Sequence, residues 1–330
     1  MNDSQNLRGA VPRGAQSAPI EQKGAPRPGR ATIREVAPAK INLFLHVGAK
    51  RADGYHPLQS LAVFTATSDI LAMEPAPDLS LTIDGPFAKG LEAETDNLVL
   101  KAARALGTHG AKLTLTKNLP VASGIGGGSA DAAAALRGLN ALWAIEKDDA
   151  ALADIAAGFG SDIPACLLST ACFMEGRGEM LRQAESMPYV PMLLTNPGVA
   201  VPTKDVFAAL DERSGVDMAL PRGRFTDTAD LLRFLETTRN DLEAPAQRLQ
   251  PMIGEVLAAI TAQPGALLVR MSGSGATCFG IFADDDCCRR AGEGLKQSHP
   301  GWWIAPTFVP ETGIAHEMAG QDIGPTPDGL

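Results

Sequence analysis

The 330-residue sequence contains no apolar run near the roughly 18 to 20 residues needed to cross a bilayer, so no membrane span is expected. It lacks a basic excess as well. A formal net charge of −9 argues against general nucleic-acid binding, which calls for a basic face, and leaves an anionic ligand dependent on locally focused positive groups. The five cysteines are an odd count with Cys287 and Cys288 adjacent and no paired CxxC, which excludes a disulfide framework and a cysteine zinc site. They read as reduced thiols. The beginning of the chain lacks the apolar core of a secretory signal, and with these absences the cytoplasm is the expected compartment. No repeat at solenoid spacing and no long internal linker is present.

What is present is 45% hydrophobic residues in a chain long enough for roughly two domains. Residues 1–32 mix Gly, Pro, Ala and Ser without a hydrophobic period and read as a disordered tail, and 311–330 as a second tail. Six basic residues against two acids make residues 1–34 positive, as in an organelle transit peptide, but Pro12, Pro19, Pro26 and Pro28 disfavour its amphipathic helix. Between the tails, strand and helix periods interleave. Strands are expected at Thr32 to Val47, within Leu58 to Met73, and at Leu79 to Ile83, Lys112 to Leu115, Tyr189 to Thr195, Leu267 to Met271 and Thr277 to Phe282. Helices are expected at Asn97 to Leu106, Ser129 to Trp143, Asp148 to Gly158, Val206 to Glu212, Asp227 to Leu235 and Ala246 to Ile260. A soft boundary falls near residue 185.

The most informative segment is Pro120-Val121-Ala122-Ser123-Gly124-Ile125-Gly126-Gly127-Gly128-Ser129-Ala130, which empties into an alanine-rich helix. Clustered glycines let backbone N–H groups converge on a ligand, and the helix start adds partial positive charge, so the run reads as a phosphate cradle. It has no Walker lysine, and Ser129 stands where a dinucleotide fingerprint needs its third glycine.

Other candidate segments are ambiguous alone. Alternation along Ala37 to Val47 puts Ile41, Leu43, Leu45 and Val47 on one strand face and Lys40, Asn42 and His46 on the other, either gripping an anion or simply solvated. Tyr55 and His56 follow an Asp-Gly turn and suit either a flat ligand or a structural role. Ser161 or Asp162 can cap a helix near Pro164, or Asp162 can act as a general base. Ser272-Gly273-Ser274-Gly275-Ala276 is a second glycine loop or a plain hairpin.

In this order, Ala37-Pro38-Ala39-Lys40-Ile41-Asn42, Pro120 to Ala130, Gly160-Ser161-Asp162-Ile163-Pro164 and Ser272 to Ala276 resemble the GHMP kinases, over about residues 33 to 310. The resemblance implies an α+β, two-domain GHMP kinase fold: an N-terminal ATP-binding domain, 33–185, like ribosomal protein S5 domain 2, and a C-terminal ferredoxin-like α/β sandwich substrate domain, 186–310. It implies transfer of the ATP γ-phosphoryl group to a small-molecule hydroxyl with Mg²⁺ bridging the phosphates, Asp162 accepting the hydroxyl proton and Lys40 activating it and steadying the phosphoryl group.

Within the superfamily, five words are similar to a branch that phosphorylates the 2-hydroxyl of a cytidine-diphosphate sugar alcohol in non-mevalonate isoprenoid biosynthesis. They are Arg51 to His56, Asp96-Asn97-Leu98, Lys117-Asn118-Leu119-Pro120, Asn196-Pro197-Gly198 with Pro202-Thr203, and Asn240-Asp241-Leu242-Glu243. By that likeness Asn97 and Lys117 join the loop in holding ATP, and Ser129 is a metal or phosphate contact. Tyr55 and Phe207 sandwich the cytosine, while Asn42, His56, Thr203, Gly273 and Ser274 contact the acceptor. Ser123 departs from the usual lead-in and either adds a hydroxyl near the phosphates or points away. A homoserine, mevalonate or sugar kinase and a non-catalytic nucleotide sensor are the competing readings, and monomer and homodimer both stay open.

Overall fold

A computed structural model describes residues 32–52, 54–91, 97–210, 219–221 and 223–311. The tail readings for 1–31 and 312–330, Asp53 and Asp96 of two motif words, and Glu212 lie outside the described residues.

The first half is organised by two long antiparallel strands, β1 (Ile33–Val47) and β2 (Leu58–Pro75). β2 is one strand of 18 residues where the sequence suggested several candidates. Its other edge is shared: Ile70 to Pro75 pair with β4 (Ala111–Thr116), and Ser60 to Ala62 pair with β5 (Cys172–Glu175). β3 (Leu79–Asp84) runs parallel to β4, and β5 turns back into β6 (Met180–Gln183), completing a six-stranded sheet. Helices α1 (Leu98–Leu106), α2 (Gly127–Leu142), α3 (Asp149–Ala157) and α4 (Ile163–Leu168) bury an apolar core with this sheet.

The alanines of α2 have a packing reason. Ala132 to Ala135 are fully buried, and the helix meets α1, α4, β1 and β2 at once, which only short side chains permit. A Cβ on Gly138 would stand 1.9 Å from the Met73 methyl.

The second half is a four-stranded antiparallel sheet in the order β10-β7-β9-β8, from β7 (Val190–Asn196), β8 (Ala266–Met271), β9 (Cys278–Phe282) and β10 (Trp303–Val309). Helices α5 (Thr203–Ala208), α6 (Thr228–Glu236), α7 (Glu243–Leu249) and α8 (Met252–Thr261) fall between β7 and β8. A further helix, α9 (Asp285–Ser298), joins β9 to β10 and completes a ferredoxin-like arrangement. The chain passes between the sheets after Gln183 and before Val190, and Ile41, Leu43 and Phe44 of β1 share a core with Met192, Leu194 and Phe279.

Several expectations are corrected. The helix expected over Ala246 to Ile260 is two helices, because Pro251 lacks an N–H and its ring clashes with the preceding turn. The helix expected at Val206 to Glu212 starts at Thr203 and ends at Ala208. α2 begins at Gly127, so two glycines of the loop are already helical. Register shifts at Pro38/Lys40 and Asn42/Phe44 interrupt β1, and both of its faces are covered. Lys40, Asn42 and His46 are therefore buried rather than solvated. β5, β6, α9 and β10 had no sequence expectation. Among the described residues no helix is long and apolar enough to cross a membrane.

Candidate active site

The glycine run leaves β4 through Lys117, Asn118 and Leu119, where the Asn118 and Leu119 N–H groups donate to Asp69 Oδ1 at 2.5 and 2.8 Å. The Ser123 hydroxyl donates to the Pro120 carbonyl at 2.6 Å, so it is used inside the loop. Gly126, at φ +66°, starts α2 with no side-chain cap, and the first-turn N–H groups are left for a ligand.

The second glycine loop closes on the first. A Cβ on Gly124 would meet the Ser272 and Gly275 carbonyl oxygens at 2.6 and 2.7 Å, so close backbone approach requires glycine there. Ser272 Oγ accepts the Asn42 N–H and donates to the Gly124 carbonyl, both at 3.1 Å, while the Thr277 N–H donates to the Ser123 carbonyl at 3.0 Å. The motif word Asn240 to Glu243 braces this junction. Asn240 Nδ2 donates to the Met271 and Gly273 carbonyls, and Glu243 accepts the Met271 N–H.

Lys40 reaches across Gly126 to Asp162, with Nζ 2.9 Å from Oδ2. Asn42 Nδ2 donates to Ser60 Oγ at 2.7 Å, which turns its Oδ1 toward the ammonium at 3.4 Å. Burial disfavours the Lys40 charge, yet the Asp162 carboxylate holds its pKa above the ordinary lysine value. Asp162 is the residue before α4 but makes no side-chain cap bond, and at 38% exposure it remains open to a ligand. Neighbouring Cys166 and Cys172 are buried, and burial pushes both thiols up, Cys172 to about 12, so they pack as neutral groups.

Lys117 is held differently. Its Nζ pairs with buried Asp69 and, at 2.6 Å, with buried Asp131. Burial opposes the ammonium, but these two carboxylates raise its pKa. Burial also raises Asp131, to about 8, against the pull of Lys117 and with the push of Asp69; its Oδ1 has no hydrogen-bond partner. Asp69 and Asp131 escaped the sequence reading, although Asp131 is a lone acid inside a run of buried alanines, a usable signal.

These groups line a cavity of about 580 Å³. Among the residues singled out from sequence, the lining takes in Lys40, Asn42, Asn97, Lys117, Pro120 to Gly124, Gly126 to Ser129, Asp162, Thr203, Phe207, Gly273 and Ser274. Ile125 and Ala130 turn their side chains into the core. Asn97 caps α1, its Oδ1 accepting the Val99 N–H at 2.9 Å. Thr203 Oγ1 and Ser274 Oγ are hydrogen-bonded at 2.8 Å. Tyr55 is 54% exposed beneath the Arg177 guanidinium, and the His56 ring stands beside that of Phe207, 5.7 Å away. His56 Nδ1 donates to the Gly48 carbonyl at 2.8 Å, which fixes its tautomer.

The sequence profile described as GHMP kinases N terminal domain matches residues 97–170, and that described as GHMP kinases C terminal matches 219–298. A Cereibacter sphaeroides protein named 4-diphosphocytidyl-2-C-methyl-D-erythritol kinase is 53% identical over 82% of this chain and 96% of its own. A Methylobacterium radiotolerans protein of the same name is 49% identical over 84% and 99%. The chain belongs to the 4-diphosphocytidyl-2-C-methyl-D-erythritol kinase family of GHMP kinases. A solved crystal structure of 4-(cytidine 5'-diphospho)-2C-methyl-D-erythritol kinase, 36% identical, covers 84% of this kinase and 99% of its own chain at a TM-score of 0.70. Homoserine kinase from Cytophaga hutchinsonii, 19% identical over 87% and 98% with a TM-score of 0.64, shares the fold. The protein is an ATP-dependent phosphotransferase acting on an alcohol group.

Proposed function

We propose that this cavity transfers the ATP γ-phosphoryl group to the 2-hydroxyl of 4-diphosphocytidyl-2-C-methyl-D-erythritol, giving the 2-phosphate and ADP for non-mevalonate isoprenoid biosynthesis. The observation that carries the chemistry is the Lys40–Asp162 pair at 2.9 Å beside the uncapped start of α2. Asp162 takes the proton from the acceptor hydroxyl, and the freed oxygen attacks the γ-phosphorus. As that bond forms, the bond to the bridging oxygen breaks, and its electrons leave with ADP. Lys40 neutralises charge on the transferring group, and the first-turn N–H groups of α2 hold the ATP phosphates, the positioning and charge compensation that phosphoryl transfer requires.

Among the described residues no cluster of three His, Cys, Asp or Glu side chains is arranged for a metal. Mg²⁺ keeps several waters and leans on phosphate oxygens, so it would need few protein donors here, and the Ser129 hydroxyl on the cavity lining would be one. When bound, the ion supplies further charge neutralisation on the β- and γ-phosphates. Asn97 serves the nucleotide side, and Asn42, His56, Thr203, Phe207, Gly273 and Ser274 the acceptor side.

An ADP-release assay is expected to respond to the diphosphocytidyl acceptor and not to mevalonate or homoserine; the opposite ranking refutes the substrate. Asp162→Asn is expected to lower kcat by on the order of 10² to 10⁴ while ATP binding, measured by calorimetry, persists. Turnover above about a tenth of wild type would remove Asp162 as the base.

A further inference from the structure

Arg177 is a cation on the cavity lining that none of the motif words includes. It occupies the β5–β6 turn between Gly176 and Gly178, both at positive φ. Two contacts fix where this turn sits. The Gly176 carbonyl accepts the Leu58 N–H at 2.8 Å, tying the turn to the strand start just after Tyr55-His56-Pro57. On its other side, Gly178 lies against Ser161, the neighbour of Asp162, with no more room than an added Cβ would fill at 3.7 Å. The turn thus spans from the Tyr55 loop to the catalytic carboxylate.

The side chain is set as a receptor for an anion. Its guanidinium lies 5.0 Å from the Tyr55 ring centroid, and its charge is met by the half-exposed Glu179 carboxylate at 3.9 Å. The other cations on the described lining are committed elsewhere: Lys40 to Asp162 and Lys117 to Asp69 and Asp131. Two polyanions must nevertheless share this cavity. The start of α2 serves one of them, and stacking on an aromatic ring presents a planar guanidinium fork in the geometry that grips phosphate oxygens in pairs.

We propose that Arg177, seated on Tyr55, binds the diphosphate of the acceptor and sets the preference for acceptors that carry one. This rests on the diphosphocytidyl-acceptor reading above. The wild-type assay tests that reading by itself: no turnover of the diphosphocytidyl acceptor refutes the reading, before any variant is made.

Given wild-type turnover, Arg177→Ala is compared with wild type in full steady-state kinetics, varying each substrate at saturation of the other. The expected result is a rise in acceptor KM of about tenfold or more, the loss of a charged hydrogen-bonded contact, with ATP KM within about twofold and kcat changed far less than acceptor KM. Arg177→Lys keeps the charge but loses the fork and the stack, so it is expected to recover only part of the affinity. An unchanged acceptor KM overturns the proposal. So does a rise confined to ATP KM, which would place Arg177 on the nucleotide. Because Arg177 is 52% exposed, the variants are expected to melt within a few degrees of wild type, and a larger drop in Tm would overturn the assignment of a binding role in favour of a structural one.

Discussion

Lys40 and Lys117 are both buried, both line the cavity and both are held above the ordinary lysine pKa, but their charges are met in different proportions. Lys40 faces one carboxylate, and that carboxylate is partly open to solvent. Lys117 faces two that are not. An ammonium with a single exposed partner can turn to a phosphoryl group when the partner engages a hydroxyl; one clamped between two buried carboxyl groups is held in place by both. Its partners show what it does instead. Asp69 also holds the backbone at Asn118 and Leu119, and Asp131 belongs to α2, so Lys117 fastens β2, the start of the glycine loop and the loop's helix together. The sequence reading placed Lys117 among the ATP contacts by likeness; its position on the lining fits, but its charge state favours support of the loop.

The sharpest way to break this comparison is to replace each lysine by methionine. Lys40→Met is expected to lower kcat by on the order of 10² to 10⁴ with little change in Tm, because Asp162 can be resolvated. Lys117→Met leaves two buried carboxyl groups without their ammonium and is expected to destabilise by about 3 to 5 kcal/mol, a fall in Tm on the order of 10 °C. Calorimetric melting alongside steady-state kinetics separates the two outcomes. A Lys117→Met enzyme with an unchanged Tm and a large loss of ATP affinity would reverse the assignment.

A smaller effect sharpens it. If the instability of Lys117→Met comes from crowding two acidic groups in one buried site, then adding Asp131→Asn removes one of them and is expected to restore part of the lost Tm. Independent, additive losses in the double variant would mean that the two residues are not coupled.

The pair proposed to do the chemistry was legible because its two members sit in short words whose order along the chain is distinctive, Pro38-Ala39-Lys40 and Gly160-Ser161-Asp162. The Lys117 cluster was not, since Asp69 lies 48 residues away on another strand and only the fold brings it near. The amide of Asn240 was visible in a motif word, but its work, holding the Met271 and Gly273 carbonyls, depends on two loops meeting. Local rules served the helix starts well: Asn97 and Asp148 cap as such residues do. They failed at Pro251, where apolar spacing ran through a residue whose ring ends a helix, and at α9. That helix buries only Cys288, Ala291, Gly292 and Leu295, a stripe of mostly small side chains too faint to register beside its charged residues.

The last effect is the most specific to two carboxyl groups sharing one ammonium. Asp131 titrates near 3.8 when unfolded and is raised to about 8 in the folded protein, first by burial, with Lys117 pulling down and Asp69 pushing up. Between those values the folded state holds a proton that the unfolded state has released, so stability falls as pH rises through this window and levels off above it. Asparagine at this position has no proton to lose. The Tm of Asp131→Asn minus that of wild type is therefore expected to grow as pH rises from 5 to about 8.5 and then to level off. A difference that stays flat over that range would show Asp131 ionised throughout, without the raised pKa that burial beside a second carboxyl group imposes, and the distinction between the two lysines would lose its physical basis.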